Sequence, residues 1–227
     1  LIALFGPEHG IRWSAQDGET VDSFNDPYKD VPAFSLYGKT RQPNKEMLSQ
    51  IDRMLFDIQD VGVRFYTFLY TMSMSMEACA DHDIPFIVLD RPNPIGGIIC
   101  SGNILNPLFE SFVGRYPIAT RYGLTIGELA NLFNNEFNIG VELHVIRMKN
   151  WERGYHWGDC HIPWVPPSPN MPTFQTSLVY PGTCFFEGTN ISEGRGTTKP
   201  FEQIGAPFID AMKLADILND INLAGVR

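Results

Sequence analysis

MLFDIQDVGVRFYTFLYTMSMSMEACADHDIPFIVLDRP, residues 54–92, holds two apolar runs of strand length around a longer apolar segment. Met54-Leu-Phe-Asp-Ile58 and Phe86-Ile-Val-Leu89 read as buried strands, the second stopped by Asp90-Arg-Pro92. Phe65 to Ala80 between them is apolar over a helical length. Strand, helix and strand make a βαβ unit, which implies a mostly parallel sheet with right-handed crossovers. Toward the N-terminus, Leu1-Ile-Ala-Leu-Phe5 is a further buried strand, ended by Gly6-Pro7. Asp17 to Pro43 reads as loop, and Lys45 to Ile51 as a short helix. Toward the C-terminus, Thr125-Ile-Gly-Glu128 is a capping box, and Ile126, Leu129, Ala130, Phe133 and Phe137 share the face of the helix it starts. Glu142-Leu-His-Val-Ile146 follows as a strand. The α/β pattern covers 1–150. From Trp151 to Pro172 the chain is rich in Pro, Trp, His and Gly, and helical spacing returns at Phe208 to Ile221, so 151–227 reads as a loop-rich segment and the start of a smaller domain.

The composition narrows the function. Of 227 residues 44% are hydrophobic and 19% charged, enough apolar content for a real core. No run of 18 apolar residues occurs, so no membrane span is expected. The net charge of −9 opposes nucleic-acid binding, whose affinity comes largely from basic side chains releasing counterions. Twenty glycines and 17 prolines are about 16% of the chain against an ordinary ~12%, so many residues sit in shaped turns. The four cysteines form no C-x-x-C and read as buried thiols.

Ligands of open parallel sheets bind beyond the carboxyl ends of the strands. Three unusual polar segments sit there: Gly6-Pro-Glu-His-Gly10, Asp57 to Thr67, and Asp90 to Gly97. Glu8, beside His9 and between glycines, suits proton transfer, with a helix cap or a pair with Arg12 as the plainer reading. Asp60 is a candidate second carboxylate. Arg64 could fork an anionic substrate group or bridge a nearby aspartate, and Tyr66 joins it as a binding candidate. Asn93, fixed between prolines, suits hydrogen bonding to sugar hydroxyls or amides, and Asn170 in PPSPNMP repeats that logic. Glu187, Asn190, Glu193 and Arg195 share a glycine-spaced polar loop. Neither G-x-x-x-x-G-K-[ST] nor G-x-G-x-x-G occurs, nor G-x-S-x-G, nor H-E-x-x-H, so nucleotide, cofactor and α/β-hydrolase readings are unsupported. His156, Asp159, Cys160 and His161 fit an irregular loop better than a metal site.

In this order, GPEHG, DIQDVGVRFYT, LDRPNPIGG, SFVG, GLTIGELA, WVPPSPNMPT, YPG, EGTNISEGRGTTKPFE and IGAPF resemble the NamZ-type exo-β-N-acetylmuramidases, from Leu1 to about Asp210. The resemblance implies a Rossmann-like domain with helices on both faces of its sheet, then a smaller domain, with a cleft between them. It implies hydrolytic release of N-acetylmuramic acid from the non-reducing end of peptidoglycan fragments, in cell-wall turnover and recycling, without a cofactor. Export to the periplasm, envelope or exterior is implied too, and family members extend both upstream and downstream. The matching catalytic carboxylate is Glu8. Trp13 stands where the family pattern has glycine.

On that reading Glu8 is the general acid, His9 supports it, and Asp60, Glu187 or Glu193 is the second carboxylate, unless the sugar's 2-acetamido group replaces it. Arg64 and Arg195 would recognise the lactyl carboxylate of muramic-acid saccharides or muropeptides. Such fragments are anionic, so binding relies on local arginines rather than on net charge. Two other readings compete. One is a non-catalytic glycan-binding module. The other is a metal-dependent hydrolase using His9, His156 and His161.

Overall fold

The computed structural model describes residues 1–12, 14–16 and 18–222, so Trp13 lies outside the described residues. In chain order the strands are β1 (Leu4–Gly6), β2 (Phe24–Asp26), β3 (Val31–Ser35), β4 (Met54–Phe56), β5 (Phe86–Leu89), β6 (Ser101–Ile104), β7 (Ala119–Arg121) and β8 (Leu143–Ile146). The helices are α1 (Lys45–Leu48), α2 (Phe68–Ala80), α3 (Ile126–Glu136), α4 (Phe174–Thr183) and α5 (Ala211–Asp220).

The βαβ unit forms where its pattern lies. β4, β5 and β8 make a fully parallel sheet in the order β4-β5-β8. Both connections advance in the same direction, and right-handed crossovers then put α2 and α3 on the same side. Met54, Phe56, Phe86 and Val88 point into that side and bury against Leu69, Met72 and Met76 of α2 and Leu129 and Phe133 of α3. Each fully buried side chain of this kind contributes about 1.5–3 kcal/mol. The period of two turns Leu55 and Ile146 the other way, and both are 56% exposed.

β1 belongs to a separate sheet, ordered β1-β3-β2, in which β1 and β3 are parallel and β2 is antiparallel. Two of these strands lie in the stretch that reads as loop. Pro32 sits within β3, and proline removes a ladder donor, which hides the strand from a pattern search. Asp26 closes the β2–β3 turn, accepting the amides of Tyr28 (3.0 Å) and Lys29 (2.9 Å) and pairing with Arg12. β6 and β7 form a two-stranded antiparallel ribbon.

The α3 capping box is present: the Glu128 amide donates to Thr125 Oγ1 (3.2 Å), and the Thr125 amide to Glu128 Oε2 (2.9 Å). Asp90, at the end of β5, accepts from the Gly127 amide (2.8 Å) and the Thr125 hydroxyl (3.0 Å), tying the strand end to the helix start.

The chain divides into two compact units, Leu1–Leu178 and Val179–Arg227. The first runs past residue 150 because the loop-rich stretch packs on it. The Gly97 amide donates to the Arg153 carbonyl (2.8 Å), the Trp157 amide to the Pro94 carbonyl (3.1 Å), and Arg153 pairs with Glu128. The change of composition at Trp151 thus marks irregular chain within a unit, not its edge. In the second unit Tyr180 and Phe201 meet edge-on at 4.7 Å, and Asp210 caps α5 through the Lys213 amide (3.1 Å). Tyr180-Pro-Gly182, turn-like by composition, lies within α4.

Candidate active site

The turn after β1 is built by its own sequence. The Gly10 amide closes on the Pro7 carbonyl at 2.9 Å, and His9 and Gly10 both take φ of +71°. Glycine adopts that region freely, whereas for His9 it costs on the order of 1 kcal/mol. The turn holds Glu8 at 5% exposure. Glu8 Oε2 accepts the Thr67 hydroxyl (2.7 Å) and Oε1 the Gly18 amide (3.3 Å). Thr67 is the residue preceding α2, so the β1 turn meets the segment after β4 although the two strands lie in different sheets. His9 is 6% exposed, with Nδ1 2.8 Å from the Ala15 carbonyl. A carbonyl only accepts, so Nδ1 carries the hydrogen and the ring orientation is fixed.

The segment after β4 holds the second carboxyl. Asp60 is 6% exposed, and its Oδ2 accepts the Gly62 amide (2.7 Å) and the Tyr122 hydroxyl. Its Oδ1 is enclosed and has no donor among the described residues. Burial pushes the Asp60 carboxyl up to about 6, against the pull of Tyr122 and the amides of Gly62 and Val61. Tyr122 is raised well above the usual tyrosine value, by burial and then by the charge of Asp60, so it remains a hydrogen donor.

These segments interlock. Gly62 has φ of +87°, and a Cβ there would lie 2.3 Å from Asn93 Oδ1. Asn93 in turn donates to the Leu124 carbonyl (2.9 Å) and accepts the Ile95 amide (3.1 Å). Gln59 reaches the Pro92 carbonyl (2.9 Å). The loops after β4, β5 and β7 are therefore one hydrogen-bonded body, and Thr67 joins the β1 turn to it.

The binding candidates divide. Arg64 is 8% exposed, and its Nη1 donates to the carbonyls of Asn103 (2.9 Å) and Ile118 (2.8 Å). Through Nη1 it clamps the backbone of the β6–β7 ribbon. Both ends of the Asn93 amide likewise make bonds within the protein, and these brace the loop. Tyr66 is buried, its ring edge-on to Phe68 at 4.8 Å. Asn170 is half-buried in the first unit. In the second unit Arg195 pairs with Glu187 (2.5 Å) and Glu193 (3.1 Å) and lies over the Phe201 ring, and Asn190 is exposed. Two carboxylates thus already balance the Arg195 charge. Asp57 pairs with Arg91 at 2.5 Å. Among the described residues no group of three or more His, Cys, Asp or Glu is placed to hold a metal ion, and no helix is long and apolar enough to cross a membrane. Sequence reasoning missed Thr67 and Tyr122, whose partners lie 59 and 62 residues away.

A parallel α/β sheet with helices packed on it defines a Rossmann-like protein, and Glu8 and Asp60 are each buried at a strand-end turn. The chain belongs to the NamZ family: the family model described as "Exo-beta-N-acetylmuramidase NamZ, N-terminal" matches residues 1–175, and its C-terminal counterpart matches 178–227. It is 58% identical over 226 residues to the peptidoglycan beta-N-acetylmuramidase NamZ of Bacillus subtilis (strain 168), covering 100% of this chain and 55% of that protein. Crystal structures of two DUF1343 family proteins from Bacteroides fragilis NCTC 9343 are similar. One has a TM-score of 0.90 at 43% identity, covering 99% of this chain and 58% of that one. The other has a TM-score of 0.78 at 38% identity, covering 93% and 56%. The chain thus spans little more than half the length of these relatives.

Proposed function

We propose that this chain carries the acid–base centre of a β-N-acetylmuramidase that releases N-acetylmuramic acid from the non-reducing end of peptidoglycan fragments. The observation that carries this reading is Glu8, a buried carboxyl set on a strand-end turn and held, among the described residues, by neutral donors, the Thr67 hydroxyl and the Gly18 amide. Membership of the NamZ family and 58% identity to a peptidoglycan β-N-acetylmuramidase support it.

In the proposed reaction Glu8 gives its proton to the glycosidic oxygen as the bond to C1 breaks. The carbonyl oxygen of the sugar's 2-acetamido group closes on C1 to give an oxazolinium ion. Water then adds at C1, returning a proton to Glu8 and restoring the acetamide. Asp60, the second carboxyl, orients that group in its ionised form, while the Tyr122 hydroxyl and the Gly62 amide hold it in place. His9 braces the turn that aims Glu8.

The test uses the full-length protein and a chromogenic N-acetylmuramide. Wild type should release the chromophore, and Glu8→Gln should lose about 10²–10⁴-fold in rate, the usual worth of a general acid. A folded wild type that leaves the substrate intact, or a Glu8→Gln variant near wild-type turnover, overturns the reading. Action on cell-wall fragments carries with it an exported protein, and recovery only from the cytoplasmic fraction of cells making the full-length chain would contradict that part.

A further inference from the structure

Arg64 is only 8% exposed and Arg195 meets two carboxylates, so the lactyl carboxylate of muramic acid is better served by another cation. The arginines of the first unit that meet carboxylates are Arg12 with Asp26, Arg91 with Asp57, Arg115 with Glu77 and Arg153 with Glu128. Arg121 has no carboxylate partner among the described residues. It ends β7, its backbone lying opposite Ser101 of β6 and bridged to Val63 in the segment after β4. Its neighbour Tyr122 bonds Asp60, and its own Nη2 donates to the Ile95 carbonyl, two residues from Asn93. The guanidinium therefore stands within the interlocked strand-end loops.

Two of its three nitrogens have no acceptor among the described residues. Nε is enclosed and bare. Nη1 makes no hydrogen bond within the described residues and is not enclosed, so it is open to an incoming group. The cation is half-buried, and burial is the one influence that moves its pKa, downward, with no neighbouring charge contributing. A partly desolvated guanidinium without a counter-charge is a poor arrangement for stability and a good one for an anion.

We propose that Arg121 is the specificity-determining residue of this site and takes the carboxylate of the 3-O-lactyl group that distinguishes N-acetylmuramic acid from N-acetylglucosamine. This assignment rests on the muramidase reading above. The carboxylate supplies the acceptor and the negative charge that the fold withholds, while the bond to Ile95 fixes the plane of the fork.

Binding of N-acetylmuramic acid and of N-acetylglucosamine to the full-length protein is measured by calorimetry, and hydrolysis of the two matching chromogenic glycosides alongside. Arg121→Gln should lower the preference for the muramic sugar about 10- to 100-fold, the worth of a charged hydrogen-bonded contact, raising KM more than it lowers kcat. Arg121→Lys keeps a cation and a donor for Ile95 but loses the fork, so the preference should fall several-fold. That variant decides the matter should Arg121→Gln not fold. A preference unchanged in the folded variant, or an equal loss for both sugars, overturns the proposal. A wild type that neither binds nor cleaves the muramic sugar overturns the muramidase reading instead, so the two failures are distinct.

Discussion

The loop after β1 and the loop at Glu187–Arg195 look alike in sequence, each a run of glycines around carboxylates, yet they hold their charges in opposite ways. Glu8 and Asp60 are buried and, among the described residues, meet hydroxyls and backbone amides. Glu187 and Glu193 close on Arg195 and are partly open to water. The first pair makes no ion pair among the described residues, whereas the second spends its charge on one. On the proposed reading the chemistry belongs with the first pair, and the second pair organises a loop.

Substitution breaks or sharpens this contrast. The widest gap expected is in rate: Glu8→Gln should cost about 10²–10⁴-fold in muramide hydrolysis. Glu187→Gln or Glu193→Gln with an equal loss would erase the distinction. Next comes stability. Gly62→Ala adds a methyl 2.3 Å from Asn93 Oδ1 at a φ of +87°, and should cost on the order of 3–4 kcal/mol in thermal unfolding. A loss below about 1 kcal/mol would show that the loops after β4 and β5 are not locked together.

The third effect follows pH. Asp60 rises from 3.8 to about 6 in the fold, so the folded protein binds this proton more tightly than the unfolded chain. The resulting stability is fully present below pH ~4 and is lost as pH rises through about 6, a difference of about 3 kcal/mol. Chemical unfolding across that range should show it, and Asp60→Asn should flatten the curve. Because the proposed step needs Asp60 ionised, activity should climb through about pH 6. Tyr122→Phe, which removes a donor to the carboxylate, should move that limb upward, whereas an unmoved limb would detach Asp60 from turnover. The smallest effect is at Arg195, where deleting either carboxylate partner should change stability by about 0–1 kcal/mol, shrinking in high salt.

What could be read from the chain follows from how local each cause is. The helix at Thr125 was legible because its capping box is contained in four residues. β5 and β8 were legible because their apolar runs fill short spans. β3 was hidden by Pro32, and the separation of β1 from β4 by pairings that sequence does not show. Glu8 and Asp60 stood out as carboxyls at strand ends. The partners of Arg64 are carbonyls 39 and 54 residues distant, which carry no sequence signature. Arg121 and Tyr122 gave no signal for the same reason: their roles arise only when the β7 end is laid against Ile95 and Asp60.

The fit of Gly62 against Asn93 and Ile95 also has an evolutionary consequence. A side chain at 62 would collide with both neighbours, at 2.3 and 2.7 Å, so these positions cannot drift independently. A larger residue at 62 is therefore tolerated only in company with smaller or displaced side chains at 93 and 95.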